Sequence, residues 1–111
     1  MATEKRQLQI ADAIQKKAGT FFSEESPAGS LATVTDVKMS PDLNYADIYI
    51  SILPANKSEQ AMESAEKSLP GLRRRIGDQM NLRYVPKLRL YYDDRAEAKE
   101  RVEEVLDDVL D

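Results

Sequence analysis

Residues 45–53 (YADIYISIL) alternate between apolar and polar side chains, and this pattern limits the possible folds more than any other feature of the chain. Successive side chains of a β-strand point to opposite faces, so the segment predicts a strand with one buried and one exposed face. Residues 31–39 (LATVTDVKM) are rich in β-branched residues and predict a second strand. The intervening residues 40–44 (SPDLN) are typical of a turn. We therefore expect an antiparallel hairpin.

Helical periodicity surrounds this hairpin. Apolar residues at steps of three and four predict a helix over residues 4–23 and helical structure over 57–81. A third strand is predicted over 87–93, followed by a last helix over 95–110 that Asp94 would cap. The order helix, strand, strand, helix-kink-helix, strand, helix predicts an α+β fold of two layers with a three-stranded sheet. The predicted apolar stripe of the first helix consists of Leu8, Ala11, Ile14, Ala18 and Phe21.

The apolar stripe of residues 57–81 keeps its phase through Pro70-Gly71. Proline inside a helix removes a hydrogen bond and clashes with the preceding turn, and the residue before it prefers an extended backbone. We therefore expect two helices that meet at a kink formed by Leu69, Pro70 and Gly71. Pro70 would be the first residue of the second helix.

Composition restricts the function. A chain of 111 residues is expected to form one domain, residues 1–111. The sequence has no cysteine and no histidine, which removes disulfides, the commonest general base and the commonest transition-metal ligand. These absences argue against most classes of enzyme, and no cofactor is expected. Neither a secretory signal nor a run of 18 apolar residues is present, so we expect a cytoplasmic protein that does not contact membranes.

Positive charge is concentrated in residues 70–89, which contain six basic residues and one acidic residue and so carry a net charge of +5. The whole chain has a formal charge of −4, so the remaining residues carry −9. A basic segment in an acidic protein is typical of a surface that binds a polyanion, and we expect RNA or DNA. The alternative is a solvated basic face without a ligand. The candidate RNA-binding residues are Arg73, Arg74, Arg75, Arg83, Lys87 and Arg89.

Two other groups of side chains have structural explanations. Tyr45, Tyr49 and Tyr91 are predicted on the outer face of the sheet. Exposed aromatic rings can stack on unpaired bases, but packing between neighbouring strands is the expected role here. The acidic pairs Glu24-Glu25 and Asp93-Asp94 would support metal-dependent catalysis only if they converged in a pocket, and we expect both pairs to be solvated.

Two motifs resemble the bacterial ribosome-binding factor A family, and the resemblance covers residues 6–110. The hairpin, ATVTDVKMSPDLNYADIYISIL, is similar to the family's strand, Ser-x-Asp-Leu turn and Val-Tyr-Val-Ser-type strand. The segment GLRRRIGDQMNLRYVPKLRLYYDD is similar to its Gly-x-[ILV]-Arg-x-x-[IL]-Gly and Leu-Arg-x-x-Pro-x-Leu patterns. This chain has Leu69-Pro70-Gly71 where the family commonly has Ala-x-Gly.

The resemblance implies a KH-like domain of type II in which a helix-kink-helix replaces the usual Gly-x-x-Gly loop. It implies a non-catalytic factor that binds the immature small (30S) ribosomal subunit and its 16S rRNA. Such a factor assists late maturation, including processing of the 5′ end of the rRNA, and is associated with growth in the cold. We expect a monomer without a small-molecule substrate. The alternative is a KH-like protein-interaction adaptor that does not depend on RNA.

The basic segment leads to one mutational expectation. Replacing Arg73, Arg74 and Arg75 together by glutamate is expected to leave folding intact and to abolish binding to small subunits. A basic helix without a base-reading loop would contact mainly phosphates, which carry little sequence information.

Overall fold

The computed structural model describes residues 3–95, and these form two α-helices packed on one face of a three-stranded sheet. The predicted two-layer α+β architecture is confirmed for these residues. The predicted bounds of both hairpin strands are also confirmed, and the predicted last helix lies outside the described residues apart from Arg95. The elements in chain order are α1 (Glu4–Glu25), β1 (Leu31–Met39), β2 (Tyr45–Leu53), a short 3-10 helix (Ala55–Lys57), α2 (Ser58–Gln79) and β3 (Lys87–Tyr92).

The sheet has the order β1-β2-β3, with β2 in the centre. β1 and β2 are antiparallel, and Met39 lies opposite Ala46. β2 and β3 are parallel, and Ile48 lies opposite Leu90. Parallel neighbours cannot be joined by a tight turn, so α2 crosses over the sheet between them. As the alternation predicted, the side chains on one face of β2 are completely buried under the helices. These residues are Ala46, Ile48, Ile50 and Ile52.

The buried face of α1 differs from the predicted stripe near its start. Leu8 was expected to face the core, but it is 64% exposed. An α-helix turns by about 100° per residue, so Leu8 lies about 80° around the helix from the buried Ala18, at the edge of the core-facing side. The helix begins after Thr3, whose hydroxyl accepts a hydrogen bond from the backbone N–H of Arg6. The buried residues of α1 are Ile10, Ala11, Ile14, Ala18, Phe21 and Phe22.

α2 is one continuous helix with Pro70 inside it, so the expected division into two helices at Leu69-Pro70-Gly71 is wrong. Pro70 cannot donate a hydrogen bond to the carbonyl four residues earlier, at Glu66. Both residues are on the exposed side of the helix, where water can satisfy that carbonyl. Burial of Ala65 before the proline and of Leu72 after it holds both halves on the same core. The stabilisation gained by burying apolar residues on both sides of Pro70 therefore exceeds the free-energy cost of a proline inside the helix.

A bend of α2 at Leu69, Pro70 and Gly71 stays a prediction, but Gly71 is not needed for its backbone conformation. It lies within the helix beside Phe21, and a Cβ atom at this position would meet the Phe21 ring at 3.5 Å, an ordinary packing distance. The position therefore has room for a methyl group and does not depend on the conformational freedom of glycine.

The β1–β2 turn is fixed by Asp42. One carboxylate oxygen of Asp42 accepts hydrogen bonds from the Ser40 hydroxyl at 2.7 Å and the Asn44 backbone N–H at 3.0 Å. Its other oxygen accepts from the Asn44 side-chain amide at 3.0 Å. Leu43 has a left-handed backbone, with φ of 62°. The backbone N–H of Lys87 donates to the Asn44 carbonyl at 2.8 Å, which joins the turn to the start of β3.

Candidate nucleic-acid interface

An open groove of about 890 Å³ lies between the second half of α2 and the connecting segment (residues 80–86) that leads into β3. Leu69 and Pro70 lie on its α2 side, and Tyr84 and Val85 lie on the side of the connecting segment. The groove brings together four of the six cations that the sequence singled out, namely Arg73, Arg74, Arg83 and Lys87.

Arg73 has a structural role within this groove. Its Nε donates a hydrogen bond to the Pro86 carbonyl at 3.1 Å, and its Nη2 donates to the Val85 carbonyl at 3.0 Å. Pro86 is fully buried, so this pair of bonds fixes the end of the connecting segment against α2. Nothing in the sequence indicated this role, because backbone carbonyl acceptors leave no pattern among side chains.

Arg75 lies outside the groove and joins the two helices. Its Nη1 is 3.4 Å from a carboxylate oxygen of Glu24, and its guanidinium carbon is 5.0 Å from the centre of the Phe21 ring. Arg73 and Arg75, which flank Arg74, therefore both form contacts within the fold. The expectation that triple replacement at 73–75 tests RNA binding alone is not supported, since two of its three substitutions remove structural contacts.

Arg89 also lies outside the groove, on the outer face of the sheet. It forms two hydrogen bonds with the Asp47 carboxylate, the second at 3.1 Å from Nη2, and its guanidinium lies 4.3 Å from the centre of the Tyr45 ring. The hydrogen bond to Asp47 raises the pKa of Arg89 above its usual value. Its charge is thus matched by a neighbouring carboxylate on the sheet surface.

Of the six candidate cations, the three whose side chains line the groove without a structural hydrogen bond or ion pair in the described residues are Arg74, Arg83 and Lys87, which we call the groove cations. All three are exposed, and within residues 3–95 none of them forms an ion pair. The Arg83 guanidinium lies 5.5 Å from the centre of the exposed Tyr84 ring. Asp78 is the one acidic residue among those that line the groove in the described part of the chain. The groove cations are free to bind an external anion.

The tyrosines of the outer sheet face pack across the strands, as expected. The rings of Tyr49 and Tyr91 are stacked with their centres 5.3 Å apart. The Lys38 ammonium lies 5.2 Å from the centre of the Tyr49 ring on the side of β1. Each of these rings therefore already has a partner within the sheet.

Asp93 departs from the expectation that both acidic pairs are solvated, because only 8% of it is exposed. Its carboxylate accepts hydrogen bonds from the Thr35 hydroxyl at 2.7 Å, the Arg95 side chain at 2.6 Å and the Arg95 backbone N–H at 3.1 Å. These bonds, chiefly those from the Arg95 side chain, hold the pKa of Asp93 well below its usual range. Asp94 is exposed, and its expected capping partners beyond Arg95 lie outside the described residues.

Residues 3–95 meet neither the requirements of a metal site nor those of a membrane-spanning helix. Across residues 3–95, no three acidic side chains are grouped closely enough to hold a metal ion. No helix in the same range combines the length and apolar character needed to cross a membrane.

The fold and groove define a KH-like α+β domain. Two solved structures share this fold. The crystal structure of ribosome-binding factor A from Thermus thermophilus matches with a TM-score of 0.68 at 15% identity, covering 78% of this chain and 94% of that one. The solution structure of a candidate ribosome-binding factor A from Thermotoga maritima matches with a TM-score of 0.66 at 25% identity, covering 82% of this chain and 90% of that one.

Sequence similarity identifies the family within this class. The sequence profile of ribosome-binding factor A matches residues 6–106. Ribosome-binding factor A of Chromohalobacter salexigens is 33% identical over 111 residues, covering 96% of this chain and 85% of that protein. The protein of the same name from Bradyrhizobium sp. strain BTAi1 is 33% identical over 106 residues, covering 91% of this chain and 77% of that protein. The chain belongs to the ribosome-binding factor A family.

Proposed function

We propose that this chain, acting as a single KH-like domain, binds the immature small ribosomal subunit through its 16S rRNA. It assists late maturation of that RNA, including processing of the 5′ end, and does not itself catalyse a reaction. The name shared by its relatives describes a ribosome-binding factor. The observation that carries the proposal on this molecule is the groove with its three uncommitted cations. We also infer that the chain acts as a cytoplasmic monomer without a cofactor.

The groove cations suit the phosphates of a nucleic-acid strand. Arg74 on α2 and Lys87 at the start of β3 are both exposed and line the same groove. A strand that lies along the groove would bring successive phosphates to these charges, with the guanidinium groups offering paired donors to phosphate oxygens. The rest of the chain is acidic and would repel the same polyanion, so RNA would approach the protein from the side of the groove.

The role of Arg73 follows from its two hydrogen bonds to the connecting segment. Arg73 is a positioning residue, because it holds the carbonyls of Val85 and Pro86 and so keeps Arg83 and Lys87 at the edge of the groove. Most of the affinity comes from phosphate contacts, and contacts with ribosomal structure select the site.

The test is a double charge reversal in the groove, Arg74→Glu with Lys87→Glu. Neither side chain has an ion pair within the described residues, so we expect the variant to fold and to lose co-sedimentation with purified small subunits. Each phosphate contact is electrostatic, so reversing two charges converts attraction into repulsion. Binding is measured at low salt, and folding by circular dichroism.

The control is Lys5→Glu with Lys16→Glu, which changes the net charge by the same amount on the exposed side of α1. Lys16 forms an exposed ion pair with Asp12, and its loss costs less than about 1 kcal/mol, so folding of the control is checked in the same way. The control is expected to bind small subunits nearly as well as the unmodified protein. Retained binding by the folded groove variant would contradict the proposal. Binding that survives nuclease treatment of the subunits would favour the adaptor that does not depend on RNA.

A further inference from the structure

A second cavity lies next to the groove. It has a volume of about 250 Å³ and is formed where the first turns of α1, the β1–β2 turn and the connecting segment meet. Arg83 and Tyr84 line both this cavity and the groove, so the two spaces share a wall. We propose that the cavity binds one unstacked nucleobase of the RNA strand whose backbone lies in the groove. This inference rests on the RNA binding proposed above.

The volume and the apolar lining of the cavity fit a single flat ring system. Pockets for drug-sized ligands have volumes of roughly 300–1,000 Å³, and this cavity lies just below that range. Its lining includes the apolar side chains of Ile10, Met39, Leu43 and Leu82, together with the fully buried Pro86. A base that leaves its stack exposes two apolar faces, and a cavity of this kind removes them from water.

The rim supplies hydrogen-bonding groups for the edge of a base. Asp42 and Asn44 lie on one side of the rim, and Arg6 lies on the α1 side. The Asp42 carboxylate accepts three hydrogen bonds within the turn, whereas a carboxylate has about four acceptor positions. The hydrogen bond from Ser40 is the main cause of the lowered pKa of Asp42, so the group stays an anion and an acceptor at neutral pH. Such an acceptor favours a base with an exocyclic amino group, as in cytosine.

Tyr84 provides a stacking surface at the entrance. It is 73% exposed, and its one described ring contact is the Arg83 guanidinium on the shared wall. In contrast to Tyr49 and Tyr91, whose rings cover each other, Tyr84 presents its ring to solvent between the groove and the cavity. Exposed aromatic rings next to cations are the features by which proteins hold single-stranded RNA. A base passing from the groove to the cavity would therefore meet Tyr84.

The experiment compares three fluorescein-labelled strands of seven residues by fluorescence anisotropy at low salt. One strand is uridine throughout, one carries a single cytidine among uridines, and one is an abasic ribose-phosphate backbone. We expect the cytidine strand to bind about tenfold more tightly than the abasic strand, within the range of roughly 5- to 150-fold that stacking of one base on an aromatic ring contributes. The all-uridine strand is expected to fall between them, because it lacks the amino group for Asp42.

Three substitutions assign the effect to the cavity. Tyr84→Ala is expected to reduce the affinity for the cytidine strand to that for the abasic strand, while Tyr84→Phe retains the ring and the preference. Asp42→Asn is expected to remove the preference for cytidine over uridine while binding of the abasic strand is unchanged, which shows that the β1–β2 turn is intact. A retained preference would overturn the contact between Asp42 and the amino group. Free cytidine monophosphate lacks the backbone that lies in the groove, so we expect it to displace the cytidine strand only at millimolar concentration.

The outcomes separate this inference from the proposed function. Equal affinities of the unmodified protein for all three strands would overturn the nucleobase cavity and leave phosphate binding in the groove intact. The cavity would also be overturned if Tyr84→Ala weakened binding to the abasic strand as much as to the cytidine strand. Displacement by micromolar cytidine monophosphate would overturn it in favour of a mononucleotide site. Failure of all strands to bind would contradict the RNA binding itself.

Discussion

Replacing Arg73 with alanine is expected to destabilise the fold by about 2 kcal/mol, although Arg73 lies in the most basic segment of the chain. Its guanidinium donates to the Pro86 carbonyl at 3.1 Å and to the Val85 carbonyl at 3.0 Å. A hydrogen bond from a charged donor contributes about 1.5–3 kcal/mol, and the bond to Val85 contributes less because it is exposed to water. The change also leaves the partly buried Pro86 carbonyl without its partner.

The measurement is urea unfolding followed by far-ultraviolet circular dichroism at neutral pH. In thermal unfolding of a domain of this size, the same loss of about 2 kcal/mol corresponds to a decrease of about 10 °C in Tm. Arg74→Ala is the matched control, since Arg74 is the next residue and is exposed without an ion pair in the described part of the chain. The control is expected to change stability by less than about 0.5 kcal/mol.

A conservative variant separates the charge of Arg73 from its geometry. Arg73→Lys keeps the charge but replaces the planar fork by a single ammonium group, which cannot reach both carbonyls with the same geometry. We expect an intermediate loss of stability. If Arg73→Ala and Arg74→Ala had the same unfolding free energy within about 0.5 kcal/mol, Arg73 would not hold the connecting segment and the reasoning would be refuted.

Three further predictions concern other parts of the fold. Gly71→Ala is expected to stabilise the protein by about 0.5–1 kcal/mol in urea unfolding, because α2 has room for a methyl group there. Gly77→Ala is expected to stabilise it less, since the new Cβ would lie 3.2 Å from a methyl group of Val85, which has to move. Equal effects of the two substitutions would contradict this. The pKa of Asp93 is lower in the folded protein than its ordinary value of 3.8, so Asp93 stabilises the fold above pH 3.8 and this stability is lost as the pH falls further. Asp93→Asn should therefore flatten the acidic part of the curve of stability against pH. An unchanged curve would exclude this role. With three groove cations on three phosphates, the logarithm of the RNA affinity should fall against the logarithm of salt with a slope of about −2, and a flat response would contradict phosphate binding.

The sequence predicted the strands better than the helices, for a physical reason. Strand alternation is local, and the burial of Ala46, Ile48 and Ile50 on one face of β2 follows from it directly. Whether a proline breaks a helix depends on how firmly the two halves are packed. At Pro70 the burial of Leu72 on the same core decided the outcome, and no local pattern expresses that balance.

The candidate site was predicted in part. Four of the six cations that the net charge singled out line one groove, namely Arg73, Arg74, Arg83 and Lys87, and their part in binding RNA stays a prediction. Charge alone could not show which cations already have a partner in the fold. The partners of Arg75 and Arg89 are carboxylates that lie far away in the sequence. The exposed Tyr84 was not singled out, although an aromatic residue next to arginine in a connecting segment was a usable signal.

The parallel pairing of β3 with β2 has a consequence for synthesis of the protein. The segments that form α1 and the β1–β2 hairpin lie within the first 53 residues and leave the ribosome first, whereas a domain generally folds as a unit. The groove has no second side until Lys87–Tyr92 have emerged and paired with β2. The nascent chain therefore presents its arginines before it has a shaped site for them. The groove that we propose for RNA takes its shape only after nearly all of the described chain has left the ribosome that makes it.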